Sequence, residues 1–321
     1  MSDHLCALTW QGYLEGRDPH TPFLCDIGLM NPHDIGGLAK LLTFGTVDPG
    51  DLPEDLPELP PNFRYDVDGN EAGESFRRMR EGNIHKQLVR DWTEEEWRYY
   101  IWMYYRYTEM VDRDVGRIVE ALEHSPYRDN TLVVFSADHG ESLGRHRLIA
   151  KSNFYKAAVS VPFIVSFPGR VDPGAVDTDH FVNGLDLFPT FCDYAGLPVP
   201  PGRHGASLRP LLEGKRPSWR DFAYTRNEFN GSGIVTDRYR YSFYREEDER
   251  PKQLFDLRDD PWEMRNLAAD PEHADLVRAL DKRLLAFEAG LNDRTPPGGW
   301  RGSRQHLRDA YRKVRRSYYR R

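Results

Sequence analysis

Three apolar runs of strand length, each halted by a polar turn or a proline, constrain this chain more than any other feature. Phe23-Leu-Cys-Asp-Ile-Gly-Leu-Met30 stops at Asn31-Pro32, Thr131-Leu-Val-Val-Phe-Ser136 runs into Ala137-Asp138-His139-Gly140, and Val161-Pro-Phe-Ile-Val-Ser-Phe167 ends at Pro168-Gly169. Runs that are mostly apolar rather than alternating fit strands covered on both faces, as in a parallel sheet. A long helical pattern separates the first two. Trp97, Ile101, Tyr104, Tyr105, Thr108, Val111, Val115, Ile118, Val119 and Leu122 recur at three- and four-residue steps, and Thr93 with Glu96 forms a capping box ahead of them. Helices between strands predict right-handed crossovers and an α/β fold with a mostly parallel sheet flanked by helices. The tyrosines of the stripe are read as core rather than as a stacking surface.

Around these runs the pattern is coarser. Residues 3–15 read as a short helix with Leu5, Leu8 and Trp10 on one side and Gly16 as its stop. Between 41 and 61 there are five prolines and five acids, so residues 45–75 are expected as an extended, pinned loop. A helix follows Gly184-Leu-Asp-Leu-Phe-Pro-Thr190 and ends near Ala195-Gly196. Residues 222–257 alternate short β-like runs with polar turns, which predicts a small antiparallel sheet. Leu276, Leu280, Leu284, Leu285 and Phe287 mark an amphipathic helix over 271–289. The expected organisation is an α/β domain over 1–215, a C-terminal α+β subdomain over 216–293 and a basic tail over 294–321.

Composition excludes several classes. No apolar run approaches the roughly 20 residues that cross a bilayer. Three cysteines (Cys6, Cys25, Cys192), none in a Cys-x-x-Cys pair, cannot build a disulfide framework or a zinc ribbon. Met1-Ser-Asp-His-Leu-Cys6 lacks the basic, apolar opening of a secretion signal, so the expectation for a chain starting there is cytoplasmic. Residues 301–321 carry nine Lys or Arg and one Asp, a net +8, leaving −15 on residues 1–300 of a chain whose total is −7. An acidic body argues against a nucleic-acid binder, and the tail is read as solvated.

In open α/β sheets, chemistry gathers beyond the carboxyl ends of strands. Asp138 and His139 sit at such an end. Neighbouring strand side chains point to opposite faces, so the two can share an ion only if the backbone turns between them, which Gly140 makes cheap. A carboxylate plus an imidazole suits Mn²⁺, Zn²⁺ or a mixed site better than an all-oxygen Ca²⁺ cage. His146, Lys151 and Tyr155 follow closely. A lysine ammonium beside an ion would offset charge developing on a leaving oxygen.

Ser136-Ala-Asp-His-Gly-Glu-Ser-Leu-Gly-Arg-His146, with Lys151-Ser-Asn-Phe-Tyr155 and Val161-Pro162, resembles the second metal-binding segment of sulfatases in the alkaline-phosphatase-like superfamily. Pro22 through Asn31-Pro-His-Asp34 resembles that family's central strand and its histidine, and Asn183–Thr190 its downstream helix. Gln253-Leu-Phe-Asp-Leu257 with Asp260-Pro261, Glu263 and Asn266-Leu267 resembles its C-terminal sheet signature. The likeness runs in order from about residue 3 to 290 and looks closest to the phosphonate monoester hydrolase and choline-sulfatase-like branch. It implies an alkaline-phosphatase-like fold with a small C-terminal antiparallel sheet and helix, and a metal-dependent sulfuric ester hydrolase. By this resemblance Asp138 and His139 are metal ligands, and Lys151 binds the sulfate and steadies the leaving oxygen. His33 contacts the sulfate or protonates the leaving group, and His146 supports substrate binding. The implied cofactor is one divalent ion, Ca²⁺, with Mn²⁺ or Mg²⁺ as alternatives. The implied partner is a sulfate-ester small molecule or glycan, or a phosphate or phosphonate ester.

The family's Cys/Ser-x-Pro-x-Arg nucleophile motif has no match here: Cys6 precedes Ala-Leu-Thr, Cys25 precedes Asp-Ile-Gly and Cys192 precedes Asp-Tyr-Ala. The paired acids of the family's first strand are also missing. The expectation is a C-terminal portion lacking its N-terminal strands, inactive alone and completed by an N-terminal segment. Lys156 stands where the family commonly has Glu. A phosphonate monoester or phosphodiester hydrolase, and a non-catalytic anion- or partner-binding remnant, are the alternative readings.

Overall fold

The computed structural model describes residues 2–44, 53–65, 88–227, 231–245 and 250–291. The expected basic tail and parts of the 45–75 loop lie outside the described residues. A thirty-residue helix, α3 (Glu94–Glu123), is the spine of the first part. Its start is fixed as the sequence requires: Thr93 Oγ1 accepts from the Glu96 N–H at 3.2 Å while the Glu96 carboxylate accepts from the Thr93 N–H at 2.6 Å. Trp97, Tyr100 and Ile101 bury the first turns against α2 (Ile35–Thr43), Phe63, Leu88 and Trp92. At the other end α1 (Ser2–Gly16) packs along α3, with the Trp10 indole N–H donating to the Ile118 carbonyl at 3.0 Å and Leu14, Leu122 and Tyr127 buried together. Midway, Tyr105 and Val119 are exposed, so the apolar stripe is core only at its two ends.

Two of the expected strands form, β1 (Val133–Ser136) and β2 (Phe163–Ser166), but they pair antiparallel, Val133 opposite Ser166 and Ser136 opposite Phe163. The mostly parallel sheet expected from the apolar runs is therefore corrected: among the described residues every strand pair is antiparallel. A parallel return needs a crossover element laid across the sheet. Residues 137–162 instead fold on themselves through a 3₁₀ turn (Arg145–Arg147) and one turn of α-helix, α4 (Lys156–Val159), and come back beside β1. The third expected strand, Phe23–Met30, is also corrected. The segment forms no strand among the described residues, and Leu24 is 79% exposed. Its end is held by α1 instead, the buried Asp3 carboxylate accepting from the N–H groups of Met30 (2.7 Å) and Asn31 (2.9 Å). On the β1–β2 ribbon, Phe135 lies opposite Ile164 and both are exposed, the latter 60%.

The chain continues through α5 (Leu187–Tyr194) and α6 (Arg209–Leu212) into the expected small antiparallel sheet, β3 (Ala223–Arg226), β4 (Gly231–Val235), β5 (Tyr239–Tyr244) and β6 (Lys252–Asp256), in that spatial order. Ile234, Tyr241, Phe243 and Leu254 of this sheet bury against Val277, Leu280 and Leu284 of α7 (Ala274–Gly290), the helix read from its leucines. The two parts meet through Phe154 and Tyr155, which pack on Tyr244 and Phe255. Gly231 allows this approach: a methyl there would stand 2.5 Å from the Phe154 ring.

Glu263 locks the junction. Its carboxylate lies 2.7 Å from the Arg240 guanidinium, both side chains buried, and its other oxygen accepts from the Lys156 N–H at 2.8 Å. The Arg240 contact is a close ion pair rather than an aligned hydrogen bond. Burial raises the Glu263 carboxyl and lowers the Arg240 guanidinium from their ordinary values, while each one's charge favours the other's ionised form. Removing one partner strands a buried charge. Arg240→Ala is expected to cost about 3–5 kcal/mol in urea unfolding, and the paired Arg240→Met/Glu263→Met change distinctly less.

Candidate functional site

β1 delivers Asp138 and His139 at its end, and the turn that follows depends on Gly140. The Gly140 N–H donates to the Ala158 carbonyl at 2.8 Å, and a methyl on residue 140 would sit 2.0 Å from the Ala157 carbonyl oxygen. Only glycine lets the two backbones approach this closely. The His139 N–H donates to Asp138 Oδ1 at 3.0 Å, so the carboxylate is held by its own turn.

His139 has a defined tautomer. Nδ1 lies 2.8 Å from the Gly140 carbonyl oxygen, which can only accept, so Nδ1 carries a proton and, in the neutral ring, Nε2 has the lone pair. That lone pair faces Asp138 Oδ2 at 3.4 Å. Two electron-pair donors so placed repel unless a proton or cation lies between them. The Asp138 side chain is 86% exposed and that of His139 34%, so the pair opens to solvent. A carbonyl that fixes the ring and leaves Nε2 bare is the outer support typical of a metal-ligating histidine. The donors therefore fit a divalent ion in kind, as two ligands. Among the described residues no group of three or more His, Cys, Asp or Glu side chains is placed to hold one.

The other expected residues are placed differently. Lys151 closes the loop that begins at Gly140 and is half-buried, beside the Glu141 carboxylate. His33 is exposed on the turn before α2, its N–H donating to the Met30 carbonyl at 2.9 Å, and no hydrogen bond or ion pair joins it to Asp138, His139 or Lys151 among the described residues. His146 lies in the junction core, only 2% exposed. It stacks on Tyr155 at 3.7 Å between ring centroids, with Nε2 donating to the Glu263 carbonyl at 3.0 Å. This placement turns it toward the C-terminal sheet and leaves it no open face toward a substrate. Burial pulls its pKa down to about 4.

Glu141 is half-buried at the start of the loop. Its Oε1 accepts from the Tyr100 hydroxyl at 3.2 Å, from the Leu143 N–H at 3.4 Å and from the Ala150 N–H. Burial raises this carboxyl, against the opposing effect of the hydrogen bonds and of Lys151. Burial beside this carboxylate pushes Tyr104 up to about 12. No local pattern could have found Glu141's role, because its partners are a side chain on α3 and a backbone amide nine residues on. Lys156, where the resemblance expected Glu, offers its backbone N–H to Glu263, so the loop packs on the sheet whatever the side chain.

Comparison with known proteins identifies the family. The family model described as "Sulfatase" matches residues 1–197, and that described as "N-sulphoglucosamine sulphohydrolase, C-terminal" matches residues 144–290. The chain belongs to the sulfatase family. It is 34% identical over 278 residues to a Delta 4,5-hexuronate-2-O-sulfatase of Bacteroides thetaiotaomicron, covering 81% of this chain and 55% of that protein. A solved 2-O GAG sulfatase superposes with a TM-score of 0.80 at 29% identity, covering 91% of this chain and 64% of that one. The phosphonate monoester hydrolase of Agrobacterium radiobacter superposes with a TM-score of 0.70 at 25% identity, covering 90% and 60%. The chain thus spans about half to two thirds of the length of these relatives.

The buried His146 makes a pH prediction. In the unfolded chain it titrates near 6.5 and in the folded chain near 4, so the unfolded state takes up the proton first. The contribution of the neutral ring is whole above pH 6.5 and is lost as pH falls toward 4, by about 3 kcal/mol in total. Urea unfolding between pH 7 and pH 4.5 should show this slope, and His146→Gln should flatten it.

Proposed function

We propose that this chain carries half of the active site of a sulfuric ester hydrolase. The observation that carries the reading is the Asp138–His139 pair at the end of β1, with His139 fixed in its ligating tautomer, in a chain of the sulfatase family. Asp138 and His139 hold one divalent ion, Ca²⁺ by family resemblance, with Mn²⁺ or Mg²⁺ as alternatives. When bound, the ion polarises the ester and stabilises negative charge on the sulfate oxygens. Lys151 supplies a fixed positive charge for the sulfate and for the leaving oxygen, and His33 contacts the sulfate or protonates the leaving group. His146 acts at one remove, by anchoring the loop to Glu263.

Two ligands are fewer than the six or more a hard divalent ion takes, and covalent catalysis needs a nucleophile. Both are supplied by a complementing segment bearing Cys-x-Pro-x-Arg and the family's paired acids. The exposed Phe135–Ile164 pair and the exposed Leu24 and Met30 offer that segment an apolar seat. Residues 1–215 form the catalytic part and 216–293 the subdomain that buttresses it. The hexuronate 2-O-sulfatase relative favours a sulfated glycan as substrate.

The likeness to a phosphonate monoester hydrolase supports a second reading, hydrolysis of phosphonate or phosphodiester substrates by the same residues. Matched aryl sulfate and phenylphosphonate esters separate the two. The chain alone is expected to show no turnover. Joined to a Cys-x-Pro-x-Arg segment it should cleave the sulfate faster than the phosphonate, and Asp138→Asn should reduce that rate at least a thousandfold. Turnover that survives Asp138→Asn overturns the metal assignment.

A further inference from the structure

The loop from Gly140 to Lys151 has an unusual backbone. Leu143, His146, Arg147, Ala150 and, just beyond, Ser152 all have positive φ without being glycine. Conformations of this kind persist only where surrounding contacts over-determine them. Three of those contacts converge on one side chain. The Glu141 carboxylate gathers the N–H of Leu143 near the start of the loop, the N–H of Ala150 at its close, and the hydroxyl of Tyr100 from α3. Ser142 reinforces the closure, its N–H and hydroxyl both donating to the Ala150 carbonyl, at 2.8 and 2.7 Å. Ala150 immediately precedes Lys151, and Glu141 follows the Gly140 carbonyl that fixes the His139 tautomer.

We propose that Glu141 is the positioning residue of this site: by clasping both ends of the loop and anchoring them to Tyr100, it sets the backbone spacing between the His139 turn and Lys151. The proposal rests on the sulfatase reading for what His139 and Lys151 do, but not for the loop geometry itself. Tyr100 and Tyr104 face Glu141 from α3, and Lys151 faces it from the end of its own loop. Glu141 touches no substrate in this scheme. Its effect reaches the chemistry through His139 and Lys151.

The test uses the whole chain and two readouts, amide hydrogen exchange and Mn²⁺ binding followed by electron paramagnetic resonance. Glu141→Gln keeps the shape and replaces one carboxylate oxygen by an amide donor. It is expected to speed exchange across residues 142–152 at least tenfold, to leave exchange in β4–β6 unchanged, and to weaken Mn²⁺ binding about 10- to 100-fold. A merely structural role would move both regions together. Tyr100→Phe, which removes one donor and keeps the carboxylate, should speed exchange at Leu143 and Ala150 a few-fold, and it decides the matter if Glu141→Gln does not fold. Exchange at 142–152 within twofold of wild type in the variant that folds overturns the proposal, as does accelerated exchange with unaltered Mn²⁺ affinity. If the wild-type chain and Asp138→Asn both fail to bind Mn²⁺, two ligands alone do not hold the ion, and the exchange result alone decides whether Glu141 holds the loop.

Discussion

Three segments distant in the chain meet at Glu263, and the rest of the structure is arranged around that meeting. Its carboxylate joins Arg240 of β5 to the backbone of Lys156, and its carbonyl receives the His146 ring. A buried ion pair contributes little net stability when compared with well-packed apolar groups, because desolvation offsets most of the attraction. What it contributes here is geometry. Neither the sheet nor the loop can shift without stranding a charge, so the C-terminal subdomain becomes a rigid backing for the segment that carries Asp138, His139 and Lys151. The aromatic cluster of Phe154, Tyr155, Tyr244 and Phe255 packs the same junction between loop and sheet.

Much of the fold could be read where the determinants are local. The capping box at Thr93 and Glu96, the leucine period of α7 and the β runs between 222 and 257 each depend on neighbours a few residues away, and each appears in the structure. Strand direction is a different kind of property. Val133–Ser136 and Phe163–Ser166 have the apolar character of parallel strands, yet direction is set by how residues 137–162 return, and that depends on Glu141, Ser142 and Ala150 closing a loop no periodicity describes. Phe23–Met30 has a strand's composition, but composition cannot supply a pairing partner.

The site divides in the same way. That Asp138 and His139 stand side by side could be read, because adjacency in sequence becomes adjacency in space at a glycine turn. The depth of His146 was not, since it is set by Glu263, more than a hundred residues later. The chemistry assigned to the pair comes from one hydrogen bond, the Nδ1–H to the Gly140 carbonyl, which leaves Nε2 bare. The same glycine therefore serves twice, in letting the backbones of 140 and 157 approach and in presenting the carbonyl that orients the imidazole.

The left-handed residues between 143 and 152 have a consequence for how such a chain can be altered. Each holds a conformation that an L-side chain reaches at a cost of about 1–2 kcal/mol, so glycine at Arg147, Ala150 or Ser152 would relieve it. A library screened for heat resistance alone would be drawn to these positions. The variants it rewarded would also have the most supple loops, and durability and function would be selected in opposite directions within ten residues.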